Sequence, residues 1–131
     1  MTLMRRFHIS ALVLCWALAL TPVGAQALSV ITDTLLEAHL VRSDWPAKRS
    51  GQALLALAPV KALLERFTEQ PGQRITIRYP GGDSGNAWAL ELRTWLVALG
   101  IPTGFVILEP GSGTSDSLLL LLEQARDPDD S

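Results

Sequence analysis

Ile75-Thr76-Ile77-Arg78-Tyr79-Pro80-Gly81-Gly82-Asp83-Ser84-Gly85 is the stretch on which the fold turns. Its first five residues alternate and are rich in β-branched types, which predicts a strand with Ile75, Ile77 and Tyr79 inward. Pro80 to Gly85 is a run of turn residues. From Asn86 the period changes, because Trp88, Leu92, Trp95, Leu96 and Leu99 recur at three- and four-residue steps. That spacing predicts a helix over 86–99, with Gly100 suited to its C-cap and Pro102 blocking continuation. Phe105-Val106-Ile107-Leu108 follows as a continuous apolar strand. Strand, turn, helix and buried strand in this order define an α/β unit.

The flanking sequence extends that unit on both sides. Upstream, Leu54, Leu57, Val60 or Lys61, Leu64 and Phe67 give one apolar face to a helix over 50–68. Pro59 lies inside it and should kink it or divide it into two shorter helices. Further upstream, residues 28–40 are expected to begin as a short helix capped near Asp33, and residues 39–45 to form a first strand. Downstream, Pro110 to Ser117 is a Gly, Ser and Thr loop, and Leu118 to Leu122 is a last buried strand. The expected order is βαβαββ: a two-layer α/β (α+β) sandwich with two helices on one face of a small mixed sheet. Residues 28–124 form a single domain in this reading, and 125–131 a disordered acidic tail.

The first 27 residues read as an export signal. Arg5 and Arg6 precede Ala11 to Leu20, a ten-residue uncharged apolar run. A spanning helix needs roughly 20 apolar residues, so this run suits a cleaved leader better than an anchor. Thr21, Pro22 and Gly24 break the helix, and Ala25-Gln26-Ala27 supplies small residues for cleavage after Ala27, with cleavage after Ala25 as the alternative. The paired arginines also admit a twin-arginine route, but Phe7 follows them directly with no Ser or Thr before them. Cleavage removes Cys15, the only cysteine, and with it disulfide and thiolate chemistry. It also removes two of eleven Lys+Arg and none of the thirteen Asp+Glu, leaving a net charge of −4. The expected location is the periplasm, with outer-membrane association, and no membrane span remains after cleavage. No basic block or aromatic-basic stripe is present, which argues against nucleic acid as a partner.

Gly82-Asp83-Ser84-Gly85 matches the string around the nucleophile of trypsin-like proteases. A working triad also needs a histidine base, an acid to orient it and an oxyanion hole. After cleavage only His39 remains, and the chain is too short for two barrels. The string reads better as a turn in which Asp83 or Ser84 caps the next helix. It matches neither a dinucleotide fingerprint nor a phosphate loop, so no cofactor is expected. One histidine, no cysteine and no carboxylate cluster leave no metal site. Glu65 and Glu69 read as a solvated helix face, and His39 as a surface or strand residue. Trp88 and Trp95 have core spacing, with a carbohydrate-stacking platform as the alternative. No set of acid, base and nucleophile stands out, and a non-enzymatic role is expected.

Three segments carry a family resemblance. Gly51-Gln52-Ala53-Leu54-Leu55-Ala56-Leu57 through Phe67-Thr68-Glu69-Gln70-Pro71-Gly72, then Arg74-Ile75-Thr76-Ile77, and above all Trp95-Leu96-Val97-Ala98-Leu99-Gly100-Ile101-Pro102 resemble the OmpA-like peptidoglycan-associated domain. The likeness spans residues 39–122. It implies a periplasmic domain that binds the peptidoglycan stem peptide without covalent chemistry. Asp83 would meet the ammonium of diaminopimelate and Arg93 its carboxylate, a guanidinium fork matching that group. Asn86 stands seven residues before Arg93, as an asparagine does in the family. The loop departs from the family's Gly-His-Thr-Asp by lacking the His and the Thr, and the segment onward to Gly100 is shorter. Counting back from Gly100 places Trp88, not an arginine, at the binding position. The alternative implied is a reduced domain that serves as a protein-interaction component of an envelope assembly.

Overall fold

The computed structural model describes residues 31–127 and residue 129. The expected leader, with Ala25 and Ala27, lies outside the described residues. The elements are β1 (Thr32–Val41), α1 (Gly51–Leu55), α2 (Ala58–Arg66), β2 (Gln73–Tyr79), α3 (Asp83–Ala98), β3 (Val106–Pro110) and β4 (Ser117–Ala125), with short 3₁₀ turns at Arg42–Asp44 and Thr103–Phe105. The sheet is mixed, in the order β1-β4-β2-β3. β4 is antiparallel to both β1 and β2, while β2 and β3 are parallel. The chain has the expected α/β architecture.

Pro59 decides the form of the first helical segment. α1 ends at Leu55, and α2 restarts with Pro59 in its first turn, where a missing N–H costs no hydrogen bond. Ser50 caps α1 by accepting from the Ala53 N–H at 3.0 Å. α3 begins three residues before the expected start. Gly82 is its N-cap without a side-chain cap bond, so Asp83 is the first helical residue rather than the cap. An acid there still complements the positive end of the helix. At the other end the Gly100 N–H bonds Val97 O and the Ile101 N–H bonds Leu96 O, with Gly100 at φ 112°. That paired closure needs a left-handed residue, which glycine adopts without a Cβ penalty.

The N-terminal expectation needs correction. Residues 32–41 form one strand, with no helix near Asp33, and residues 42–44 are a 3₁₀ turn rather than strand. Leu36 and Leu40, four apart, satisfy a helical period and a strand period equally. Pairing with β4 resolves the ambiguity, and a bulge between Thr34 and Leu36 sends Leu35 outward and Leu36 toward the core. β4 is also longer than expected and reaches Ala125, one residue into the expected tail. The Arg126 N–H bonds Ile31 O, and its guanidinium pairs with Asp33 at 2.5 Å.

The helices cover one face of the sheet. α2 packs on β1 and β4, and α3 on β2 and β3. Leu40, Ile75, Ile77, Leu118, Leu120 and Leu122 from the strands are buried with Leu54, Val60, Leu63, Leu92 and Leu96 from the helices. Burial of each such side chain contributes about 1.5–3 kcal/mol. No helix among the described residues is long and apolar enough to cross a membrane.

Candidate functional site

β1 and β2 both run antiparallel to β4, so β1, β2 and β3 point the same way. Their carboxyl termini gather at one end of the sheet, the usual place for ligands in open α/β sheets. Three connections meet there: the turn after Val41, the Pro80–Gly82 turn before α3, and the loop over residues 111–116. Tyr79 O accepts from the Gly111 and Ser112 N–H groups at 2.8 and 3.2 Å, and the Arg42 N–H donates to Asp116 O at 2.7 Å. The Ser112 hydroxyl bonds Thr114 O, and the Thr114 and Ser117 hydroxyls bond each other. These bonds tie the long loop to both neighbouring strand ends.

Above this end lies a ladder of cations and indoles. The Arg42 guanidinium sits 4.3 Å from the Trp88 ring centre, within cation–π range. Trp45 meets Trp88 edge-on at 6.0 Å and 73°. Arg49 lies 5.9 Å from the Trp45 ring and is fixed by Glu91, Nε to Oε1 2.8 Å. Among the described residues, Arg42 forms no ion pair, so its N–H edges remain available to an anion. The Nε1 atoms of Trp45 and Trp88 are buried and have no acceptor among the described residues.

The residues expected to bind ligand divide between two places. Asp83 is exposed at the start of α3, at the carboxyl end of the sheet, and Asn86 is one turn further on, its N–H bonded to Gly82 O. Arg93 lies ten residues beyond Asp83 on the same helix, a rise of about 15 Å. It lines a shallow depression of about 260 Å³ with Leu90, Thr94, Val97 and Thr103, and none of the Pro80–Gly85 residues contributes. Asp83 and Asn86 are therefore neighbours, and Arg93 does not join them. The cation that does stand at the carboxyl end, Arg42, was hidden in the sequence because the first strand was expected to run through it.

Gly85 has a packing role within the Gly82–Gly85 string. A Cβ there would lie 1.8 Å from Pro80 O, so only glycine lets α3 approach the turn that closely. Ser84 belongs to the helix layer, whereas His39 stands on the face of the sheet that no helix among the described residues covers, so the two side chains lie on opposite sides. Trp88 is 3% exposed and belongs to the core, as does Trp95 in part. Among the described residues no three His, Cys, Asp or Glu side chains group as metal ligands.

On the uncovered face, Arg74, Thr76 and Arg78 of β2 lie between Leu119, Leu121 and Glu123 of β4 and Ile107 and Glu109 of β3. Glu123 is buried, accepting from Arg74 Nε at 2.7 Å and the Thr76 hydroxyl at 3.0 Å. Burial pushes its carboxyl upward. The hydrogen bonds from Arg74 and Thr76, with the charges of Arg74 and Arg78, outweigh that and hold it below the usual range. This array is a structural network that secures β2 to β4. No protein-family model, curated protein or solved structure matches the chain.

Proposed function

We propose that the chain is an exported envelope protein, periplasmic and associated with the outer membrane, whose domain resembles the OmpA-like type and works by protein interaction. The observation that carries this is the separation of Asp83 from Arg93, about 15 Å along one helix. A diaminopimelate clamp needs both groups on one ligand. Arg93 instead shares its depression with Leu90 and Val97, a mixed apolar and cationic surface of the kind that receives protein side chains.

One observation favours a second reading, in which stem-peptide binding persists with a substituted cation. Arg42 stacks on Trp88, the residue that stands at the arginine position when counted back from Gly100, and Asp83 and Asn86 lie at the same end of the sheet. Arg42 would then meet the carboxylate and Asp83 the ammonium. Sedimentation with purified peptidoglycan sacculi at low salt separates the two readings. Protein interaction predicts that wild type stays in the supernatant. Co-sedimentation lost in both Asp83→Ala and Arg42→Ala, and retained in Arg93→Ala, would establish the second reading in its place.

A further inference from the structure

The two edges of the sheet differ in how they are finished. β3 is five residues long and ends in Pro110, which has no N–H, and its Glu109 is engaged by Arg78 at 3.4 Å. Short length, proline and charge are the usual protections of an edge. β1 is ten residues long, contains neither proline nor lysine, and has no partner on its outer side among the described residues. Its bulge, between Thr34 and Leu36, lies before the regular Leu36–Val41 stretch, in which Glu37 is the one acid. Its free side can be read from its paired side. The Arg42 N–H donates to Asp116 O, and hydrogen-bonded pairs alternate along an antiparallel ladder. Leu36, Ala38 and Leu40 therefore turn their backbone groups to β4, and Glu37, His39 and Val41 turn theirs to the open edge.

We propose that β1 pairs antiparallel with β1 of a second copy of this chain, about a two-fold axis at Ala38, joining two four-stranded sheets into one of eight. An axis normal to the sheet maps each face onto itself. With Ala38 on the axis, Glu37 stands opposite His39 of the second copy, and His39 opposite its Glu37. These two pairs exchange four backbone hydrogen bonds and set acid against imidazole on the uncovered face, where Glu37 and His39 are both exposed. On the helix side Leu36 meets Leu40 of the second copy. The neighbouring registers lack this complementarity. Centring on Glu37 opposes two carboxylates and sets Leu35 against His39, and centring on His39 opposes two imidazoles and sets Glu37 against Val41. The pairing depends only on the sheet, so it stands or falls separately from the envelope role.

Sedimentation equilibrium on the full chain, expressed from its own Met1 and purified, tests the pairing. The expected mass is that of two copies. His39→Pro removes an N–H on the open side, where an edge strand tolerates proline, and is expected to give single copies with an unchanged circular dichroism spectrum. His39→Glu sets carboxylates together at both positions and is expected to weaken association about tenfold or more. Adding Glu37→Lys to His39→Glu is expected to restore it. A single-copy mass for wild type at about 100 µM would overturn the proposal. So would association unchanged in both His39→Pro and His39→Glu, since the copies would then meet elsewhere. If His39→Pro fails to fold, the charge pair His39→Glu and Glu37→Lys decides alone.

Discussion

Along β2 the side chains alternate between two environments. Ile75 and Ile77 are buried in the cluster that holds Leu92, Leu96 and Leu120, whereas Arg74, Thr76 and Arg78 project to the uncovered side and are held by carboxylates of neighbouring strands. Burial on the helix side is non-directional, and its strength grows with apolar area removed from water. The uncovered side depends on geometry: Glu123 is 9% exposed in its side chain, and its lone pairs are met by Arg74 and Thr76. A few residues away, Arg78 and Glu109 are 41% and 42% exposed and are screened by water. One strand thus draws on area at one face and on directed pairing at the other. Two ion pairs of similar composition differ because only one of the two carboxylates, Glu123, is desolvated, while Arg74 and Arg78 are equally exposed.

Four measurements break or sharpen that contrast. Leu92→Ala, on the covered side, should cost about 3 kcal/mol in chemical denaturation, because a fully buried site leaves a cavity. Gly85→Ala should cost nearly as much, about 2–3 kcal/mol, since its Cβ would meet a backbone carbonyl that no rotamer change can move. On the uncovered side Glu123→Ala should cost about 2 kcal/mol, leaving the buried Thr76 hydroxyl without its acceptor while Arg74 turns to water. Glu109→Ala should cost less than about 0.5 kcal/mol. A loss at Glu109 as large as that at Glu123 would show that desolvation does not separate the two pairs.

The pH dependence follows from the same pair. The Glu123 carboxyl is lowered in the folded chain, so its stabilisation is fully present above the ordinary glutamate value. It is lost as pH falls through that value toward the lower, folded one. Denaturant midpoints measured between pH 7 and pH 3 should fall less steeply in Glu123→Gln than in wild type. An identical slope would mean that other carboxylates govern acid unfolding.

Much of the fold was legible in the chain. Ile75 to Tyr79, the α3 stripe from Trp88 to Leu99 and the break at Pro59 are local patterns whose periods and turn residues act over a few positions. Both ends of the chain were less legible. Glu123 and Gln124 look like a strand terminus, yet β4 continues through them because Arg74, 49 residues away, meets Glu123. Leu36 and Leu40 fit helix and strand alike until β4 lies beside them. For the candidate site, Asp83 and Asn86 were placed at the carboxyl end of the sheet by the turn that precedes them. Arg42 became visible only when β1 ended at Val41 and the next turn carried its guanidinium over Trp88.

By itself, the sequence determined the alternation of helix and strand from β2 onward, an interruption at Pro59, and the closure of α3 at Gly100. Each depends on backbone preferences and apolar spacing confined to neighbouring residues. The tertiary structure decided which groups share a place. It put about 15 Å of helix between Asp83 and Arg93, set Arg42 on Trp88, and, among the described residues, left the outer side of β1 unpaired. Those outcomes depend on strand order and helix direction, which couple residues far apart in the chain and have no local signature.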